Sequence, residues 1–212
     1  MDEREKQSAR EAKKKTDFLK VSRRDFLKGM GTGAVAATVS IPSYLSPPEA
    51  EAALPPAIKE AVIQMNVNGK DVRLKVKSHW TLLDVLRKGL GLTGAKKSCD
   101  RGSCGACTVM MDGKAVYACS RLAIEADKKK ILTIEGLAQG EKLHPIQEAF
   151  VQNDGLQCGF CTPGIIMSVK ALLDSNAPPG TDEMKEALSG NLCRCSAYSK
   201  ILKSAMAVAQ KG

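Results

Sequence analysis

Aromatic residues are scarce in this chain: one Trp, three Tyr and four Phe make up 4% of it. So few rings leave little to stack on bases. The net charge of +9 is scattered, with Lys96-Lys97 and Lys128-Lys129-Lys130 its only runs outside the first fifty residues. Met1 to Ala52 holds ten Lys/Arg against eight Asp/Glu, which leaves 22 against 15, or +7, for the rest. Lysine runs beside turns are solvated surface, and a nucleic-acid partner is excluded. Histidine is nearly absent. His79 sits beside Trp80 as a surface or packing residue, and His144 precedes Pro145 as a helix-start residue. No Ser–His–Asp set, phosphate loop or carboxylate pair stands out, so the chain has no evident catalytic centre of its own. Nor is there a run of about 20 apolar residues, which excludes a stable membrane span. Cysteine, by contrast, is plentiful: there are eight.

Residues 1–20 are polar, without an apolar period. They lead into Ser22-Arg23-Arg24-Asp25-Phe26-Leu27-Lys28, a run of small, mildly apolar residues from Gly29 to Ile41, and a small-x-small site at Ala50-Glu51-Ala52. A charged region, an apolar region and a cut site form a signal peptide, here residues 1–52. The arginine pair before Phe-Leu-Lys resembles the twin-arginine export signal. In an exported protein eight cysteines would ordinarily mean disulfides, with 105 possible pairings. The twin-arginine route carries folded proteins, so thiolates committed to metal in the cytoplasm could cross intact.

Downstream the sequence expects an α+β chain in two domains, 58–136 and 137–212. In the first, alternation over Ala61–Val67 and Asp71–Val76 around Asn68-Gly69 reads as a hairpin. Thr81-Leu82-Leu83-Asp84 opens a helix to about Leu90, with Thr81 as its cap. Strands are expected at Thr108–Met111, at Val116–Ser120 carrying Cys119, and at Ile131–Ile134. Cys99, Cys104 and Cys107 in a Cys-x4-Cys-x2-Cys spacing, followed by Cys119, form the plant-type ferredoxin pattern for a [2Fe–2S] cluster. Gly102 and Gly105 suit a loop whose N–H groups must reach the sulfurs. Zinc, which prefers two paired knuckles, suits this spacing poorly.

In the second domain, helices are expected from His144-Pro145 to about Asn153, Pro163 to about Asp174, Thr181 to Gly190 and Tyr198 to about Gln210, with a break at Pro178-Pro179-Gly180. Cys158-Gly159-Phe160-Cys161 stands before the second of these, with Thr162 at the N-cap and Pro163 at the first helical position. Two cysteines three apart suit zinc, a dithiol or an iron–sulfur cluster equally. Cys193-Arg194-Cys195 supplies a second close pair, and four thiols on a helical scaffold make a second cluster site.

These features together resemble the iron–sulfur subunit of the molybdenum hydroxylases, the xanthine oxidase/aldehyde oxidoreductase family, over residues 60–210. The matching stretches are Thr81–Arg87, Cys99–Val109, Gln157–Gly164 and Gly190–Cys195. The resemblance implies an N-terminal β-grasp ferredoxin domain and a C-terminal four-helix bundle, each with one [2Fe–2S] cluster. It implies a large partner subunit that oxidises its substrate at a molybdopterin cofactor. Electrons would pass through the helical-domain cluster, then the ferredoxin-domain cluster, to FAD, a cytochrome or another acceptor. Gln157 matches the residue that approaches the pterin. Ser196-Ala197-Tyr198 departs from the family's usual Thr-Gly-Tyr. The expectation is a periplasmic electron-transfer subunit, most simply of an aldehyde oxidoreductase. A purine or N-heterocycle oxidoreductase subunit and a stand-alone periplasmic carrier are the alternatives.

Overall fold

A computed structural model of the chain describes Arg24 and residues 59–175 and 179–210. The chain divides into Met1–Leu54 and Pro55–Gly212, and the second unit carries the structure that follows. Apart from Arg24, the signal segment and its cut site lie outside the described residues, as does Pro178 of the expected break. Among the described residues no helix is long and apolar enough to cross a membrane.

Strands β1 (Glu60–Val67) and β2 (Lys70–Lys77) form the expected hairpin, closed by Asn68 and Gly69 at φ 51° and 81°. Such a two-residue turn matches the right-handed twist of the strands, and Asn and Gly tolerate its positive φ best. Strands β3 (Thr108–Met111) and β4 (Lys114–Tyr117) repeat the device with Asp112 and Gly113. With β5 (Lys130–Leu132) the sheet runs β2-β1-β5-β3-β4, and only the β1–β5 pair is parallel. A short helix, α1 (Leu82–Asp84), crosses from β2 towards β3 and buries Leu82 and Leu83, giving the β-grasp arrangement. Thr81 Oγ1 accepts from Asp84 N–H (3.1 Å) and Asp84 Oδ2 accepts from Thr81 N–H (3.3 Å). This reciprocal capping satisfies two donors the helix would otherwise leave unpaired. Burial pushes the Asp84 carboxyl up, but bonds from Lys88 and Thr81 outweigh it and hold the group below its ordinary value.

Three expectations shift by a few residues, each for a visible reason. The helix does not continue in α form to Leu90: Val85–Gly89 widens, and Leu90 N–H reaches back five residues to Val85 O. Strand β5 stops at Leu132 because Thr133 N–H donates to the Asn68 side chain (2.9 Å) instead of the ladder. Strand β4 ends at Tyr117, and Ala118–Ser120 coils into a 3-10 turn.

The second half contains α2 (Pro145–Gln152), α3 (Thr162–Ser175), α4 (Thr181–Leu188) and α5 (Tyr198–Ala209). They close a ring in which α2 meets α3 and α5, and α4 meets the same two. Phe150, Ile146, Ile165, Met167 and Met184 fill its centre. The two halves share β3. Val109 faces the core of the sheet and α1, whereas Met110 faces the helical core, and α3 lies against the strand. A strand covered on both faces reads as a continuous apolar run, not an alternating one, as Val109-Met110-Met111 does.

His144 is the N-cap of α2: its Nδ1 accepts from Ile146 N–H at 3.3 Å. Burial and then the nearby Lys170 push its pKa down, with Asp174 opposing. A group whose folded pKa is lowered contributes stability in full above its unfolded value of about 6.5. That contribution is lost as pH falls through the folded value, where Nδ1 gains a proton and can no longer accept. Thermal midpoints measured between pH 7 and 5 should therefore fall less steeply in His144→Asn, which caps without titrating, than in the parent.

Candidate metal centres

The eight cysteines gather at two places. At the first, Cys99 and Cys104 lie on the loop before β3, Cys107 just precedes that strand, and Cys119 sits on the 3-10 turn after β4. The turn is what delivers Cys119. Ala118 N–H donates to Cys107 O (3.3 Å), Ser120 Oγ donates to Tyr117 O (3.0 Å), and Cys119 Sγ accepts from Gly102 N–H (3.2 Å). Cys99 Sγ accepts from Ser103 N–H at 3.3 Å. Asp100, Gly102 and Gly105 all have positive φ (55°, 71° and 68°), and the loop curls so that its N–H groups point inward.

At the second place Cys158 and Cys161 precede α3, while Cys193 and Cys195 occupy the turn between α4 and α5. Cys193 N–H donates to Tyr198 Oη at 2.8 Å, which closes the Cys-x-Cys turn. The departure at 196–197 falls harmlessly. Ser196 takes the positive φ (57°), and Ala197 lies at φ −77°, ψ 19°, where a Cβ costs nothing.

At both places the thiols stand in pairs close enough to shift one another's ionisation: Cys99 with Cys104, Cys107 with Cys119, Cys158 with Cys195, and Cys161 with Cys193. Among the described residues no three His, Cys, Asp or Glu side chains are grouped as a single ion would need. Two pairs per site instead suit a two-iron core that takes four thiolates. The electrostatics differ within each set. Cys99 is pulled down to about 7, chiefly by the N–H of Arg101 and then that of Ser103. Cys158 is lowered chiefly by the N–H of Phe160. Burial pushes Cys107 and Cys161 up to about 12, helped by their partners Cys119 and Cys193. Each site thus pairs a thiol on its open side, shifted towards the thiolate, with a more enclosed one shifted towards the neutral thiol.

The two places touch through the backbone. Leu192 N–H donates to Cys104 O at 3.0 Å, so a bond from the first cysteine loop ends one residue before Cys193. Buried Asn191 donates from Nδ2 to Gly105 O (3.2 Å), and Tyr117 Oη donates to Gly190 O (3.3 Å). Residues of both sites, Cys104 with Cys158, Cys161 and Cys193, line one cavity of about 370 Å³. Gln157 is exposed and shares a cavity of about 520 Å³ with Cys195, Ser196 and Lys200. The contacts of Leu192, Asn191 and Tyr117 could not be read from the sequence, because spacing identifies ligands and not the backbone bonds between their loops.

Comparison with known proteins agrees with this geometry. Residues 65–134 match the 2Fe-2S iron–sulfur cluster binding domain, residues 133–206 the [2Fe-2S] binding domain, and residues 17–40 the twin-arginine translocation pathway signal sequence. Over 199 residues the chain is 43% identical to the aldehyde oxidoreductase iron-sulfur-binding subunit PaoA of Escherichia coli, covering 87% of this chain and 86% of that one. The crystal structure of quinoline 2-oxidoreductase from Pseudomonas putida superposes with a TM-score of 0.68 at 39% identity, over 73% of this chain and 99% of that chain. The aldehyde oxidoreductase of Desulfovibrio gigas superposes at 0.67 with 45% identity, over 70% of this chain but 17% of its own. Two [2Fe–2S] domains in series behind an export signal define a two-cluster electron-transfer protein sent to the periplasm by the twin-arginine route. The chain belongs to the iron–sulfur small subunits of the molybdenum hydroxylases.

Proposed function

We propose that the chain is the electron-transfer subunit of an aldehyde-oxidising molybdenum hydroxylase. In this reading Cys99, Cys104, Cys107 and Cys119 hold one [2Fe–2S] cluster, and Cys158, Cys161, Cys193 and Cys195 hold the other. Residues 58–136 and 137–212 act as the two cluster domains. The observation that carries it is the pairing of all eight thiols into two quartets, with the Cys104 O to Leu192 N–H bond joining their loops. The aldehyde reading draws on the likeness to PaoA, which extends over the leader as well as both cluster domains. The 39% identity to quinoline 2-oxidoreductase supports an N-heterocycle as the second choice.

When bound, two [2Fe–2S] clusters would supply two one-electron stores, enough for a two-electron oxidation on the partner subunit. This chain's residues do the rest. Gly102 and Ser103 N–H groups stabilise negative charge on Cys119 and Cys99, which favours the reduced state. Apolar burial of Cys107 and Cys193 excludes water from the inner side of each site. Asn191, Tyr117 and the Leu192 N–H tie the two cysteine loops together, so that groups bound there would keep one separation. Exposed Gln157 offers an amide to the pterin of the large subunit. The acceptor beyond the first site is a flavin subunit or a cytochrome.

Metal analysis of the purified full chain should give about four iron and four sulfide, with two distinct paramagnetic signals after reduction. Zinc in their place would overturn the reading. A large molybdenum-containing subunit should co-purify, whereas a monomeric holoprotein at native expression would favour a stand-alone carrier. Gln157→Ala should leave both cluster spectra intact and slow cluster reduction by substrate. Unchanged reduction would remove Gln157 from the pterin contact.

A further inference from the structure

Beside exposed Arg194 and Gln157, the rim of the second site carries a group of exposed apolar side chains. Phe160 is 45% exposed, Leu192 56% and Tyr198 47%, and Leu156 stands with them. Beside this rim a separate cavity of about 280 Å³ opens against α4 and α5, walled by Ile165, Leu188, Leu192, Tyr198, Ile201 and Leu202. Its walls are mostly hydrocarbon, with Lys185, Ser189 and Asn191 as the polar part of the lining, and it is smaller than the roughly 300–1,000 Å³ usual for small-molecule sites. A space of this size and chemistry suits one buried anchor side chain from another polypeptide, surrounded by contacts that exclude water.

We infer that this cavity is the anchor pocket for the large subunit, which inserts an apolar side chain, leucine-like or aromatic, between α4 and α5. The inference rests on the proposed function, and three observations choose the occupant. Leu192 and Tyr198 wall both this pocket and the cavity at the second site, so a chain that covers the thiols to deliver electrons also covers the pocket. Tyr198 in addition holds Cys193 N–H, which makes the pocket wall part of the frame of the electron-receiving turn. Lastly, in the D. gigas oxidoreductase the matched module is only 17% of one long chain. The module there is built into the larger polypeptide, as a permanent and therefore apolar contact requires.

The docking surface is thus two adjoining parts with different tasks. The rim of Phe160 and Leu156 beside Gln157 dries the space over the thiols. The pocket supplies most of the binding energy and sets the register of the large subunit over Cys158. Because the anchor packs on Tyr198, docking also stiffens the Cys193–Tyr198 bond.

The test uses the full-length holoprotein and the co-purifying molybdenum subunit, with Kd measured by calorimetry. Leu192→Glu and Leu202→Glu should each weaken binding about 30-fold or more, the loss typical of an anchor contact. Visible circular dichroism of both clusters should be retained. Val62→Glu, an equally exposed apolar residue on β1, should change nothing. A photo-crosslinking p-benzoylphenylalanine in place of Leu202 should trap the large subunit. Unchanged affinity in both glutamate variants, or a crosslink to this chain itself or to a second copy, would overturn the pocket assignment alone. If no large subunit binds the unaltered chain, the proposed function falls instead.

Discussion

Gly164→Ala is expected to lower the thermal midpoint of the holoprotein by roughly 5–10 °C and to slow electron exchange between the two sites. A Cβ built at Gly164 would lie 2.1 Å from Gly105 O and 3.0 Å from Ala106 Cα. Both are backbone atoms, so no side-chain rotation relieves the overlap. Either α3 must back away from β3, which opens the shared core around Met110, or the loop carrying Cys104 and Cys107 must move. In the second case Thr108 Oγ1 and Asn191 Nδ2, which both donate to Gly105 O, lose their acceptor geometry. Differential scanning calorimetry reads the first consequence, and the relaxation of the clusters after rapid reduction reads the second. A midpoint within 2 °C of the parent would show that α3 does not bear on that loop.

Gly190 makes a useful contrast. A Cβ there would meet Tyr117 Oη at 2.0 Å, but Oη is the far end of a side chain with freedom to swing. The cost is then mainly the Tyr117–Gly190 hydrogen bond. The two glycines look alike in the sequence, each four residues or fewer from a cysteine, and differ only in what stands opposite.

That difference marks where the sequence stops being informative. Cysteine spacing separated the eight thiols into the two groups that the fold gathers, and Asn68-Gly69 located the first hairpin, because residue spacing and positive φ are local demands that a sequence states directly. Asn68-Gly69, Thr81 with Asp84, and His144 with Pro145 each do structurally what their residue types suggest. Non-local demands were hidden. Nothing around Asn68 announces that its side chain will take Thr133 N–H and end β5 early. Cys119 reads as a strand residue from Val116 onward, since the force that coils Ala118–Ser120 is a sulfur accepting from Gly102, seventeen positions away. At the departure at 196–197 the sequence likewise does not say that Ser196, and not Ala197, takes the positive φ.

The same reasoning explains how the two domains meet. Each quartet could be assigned to its own module, but the sharing of β3 and the Leu192 N–H to Cys104 O bond appear only once both are folded. Seen together, these contacts make the ferredoxin half a wall of the helical core, and the first cysteine loop a support for the second. On the proposed function, stability and electron transfer would therefore depend on the same few backbone contacts.

Cys193→Ala tests that dependence most severely. Cys193 is buried, pairs with Cys161, and follows directly on the residue bonded to Cys104. Removing its sulfur leaves the second quartet one thiol short and partly buried Cys161 without its partner. Iron should fall to about half, and one of the two paramagnetic signals should vanish. Because cluster binding contributes folding free energy, the thermal midpoint should fall as well. The first site keeps all four thiols, and the Leu192 and Cys104 groups that join the loops are backbone, so dithionite should still reduce the remaining cluster. Substrate should not, since on the proposed function the site that receives its electrons is gone. A variant that keeps full iron, or whose first cluster is still reduced by substrate within a turnover, would show that electrons reach the ferredoxin half by a route that bypasses the Cys193 turn.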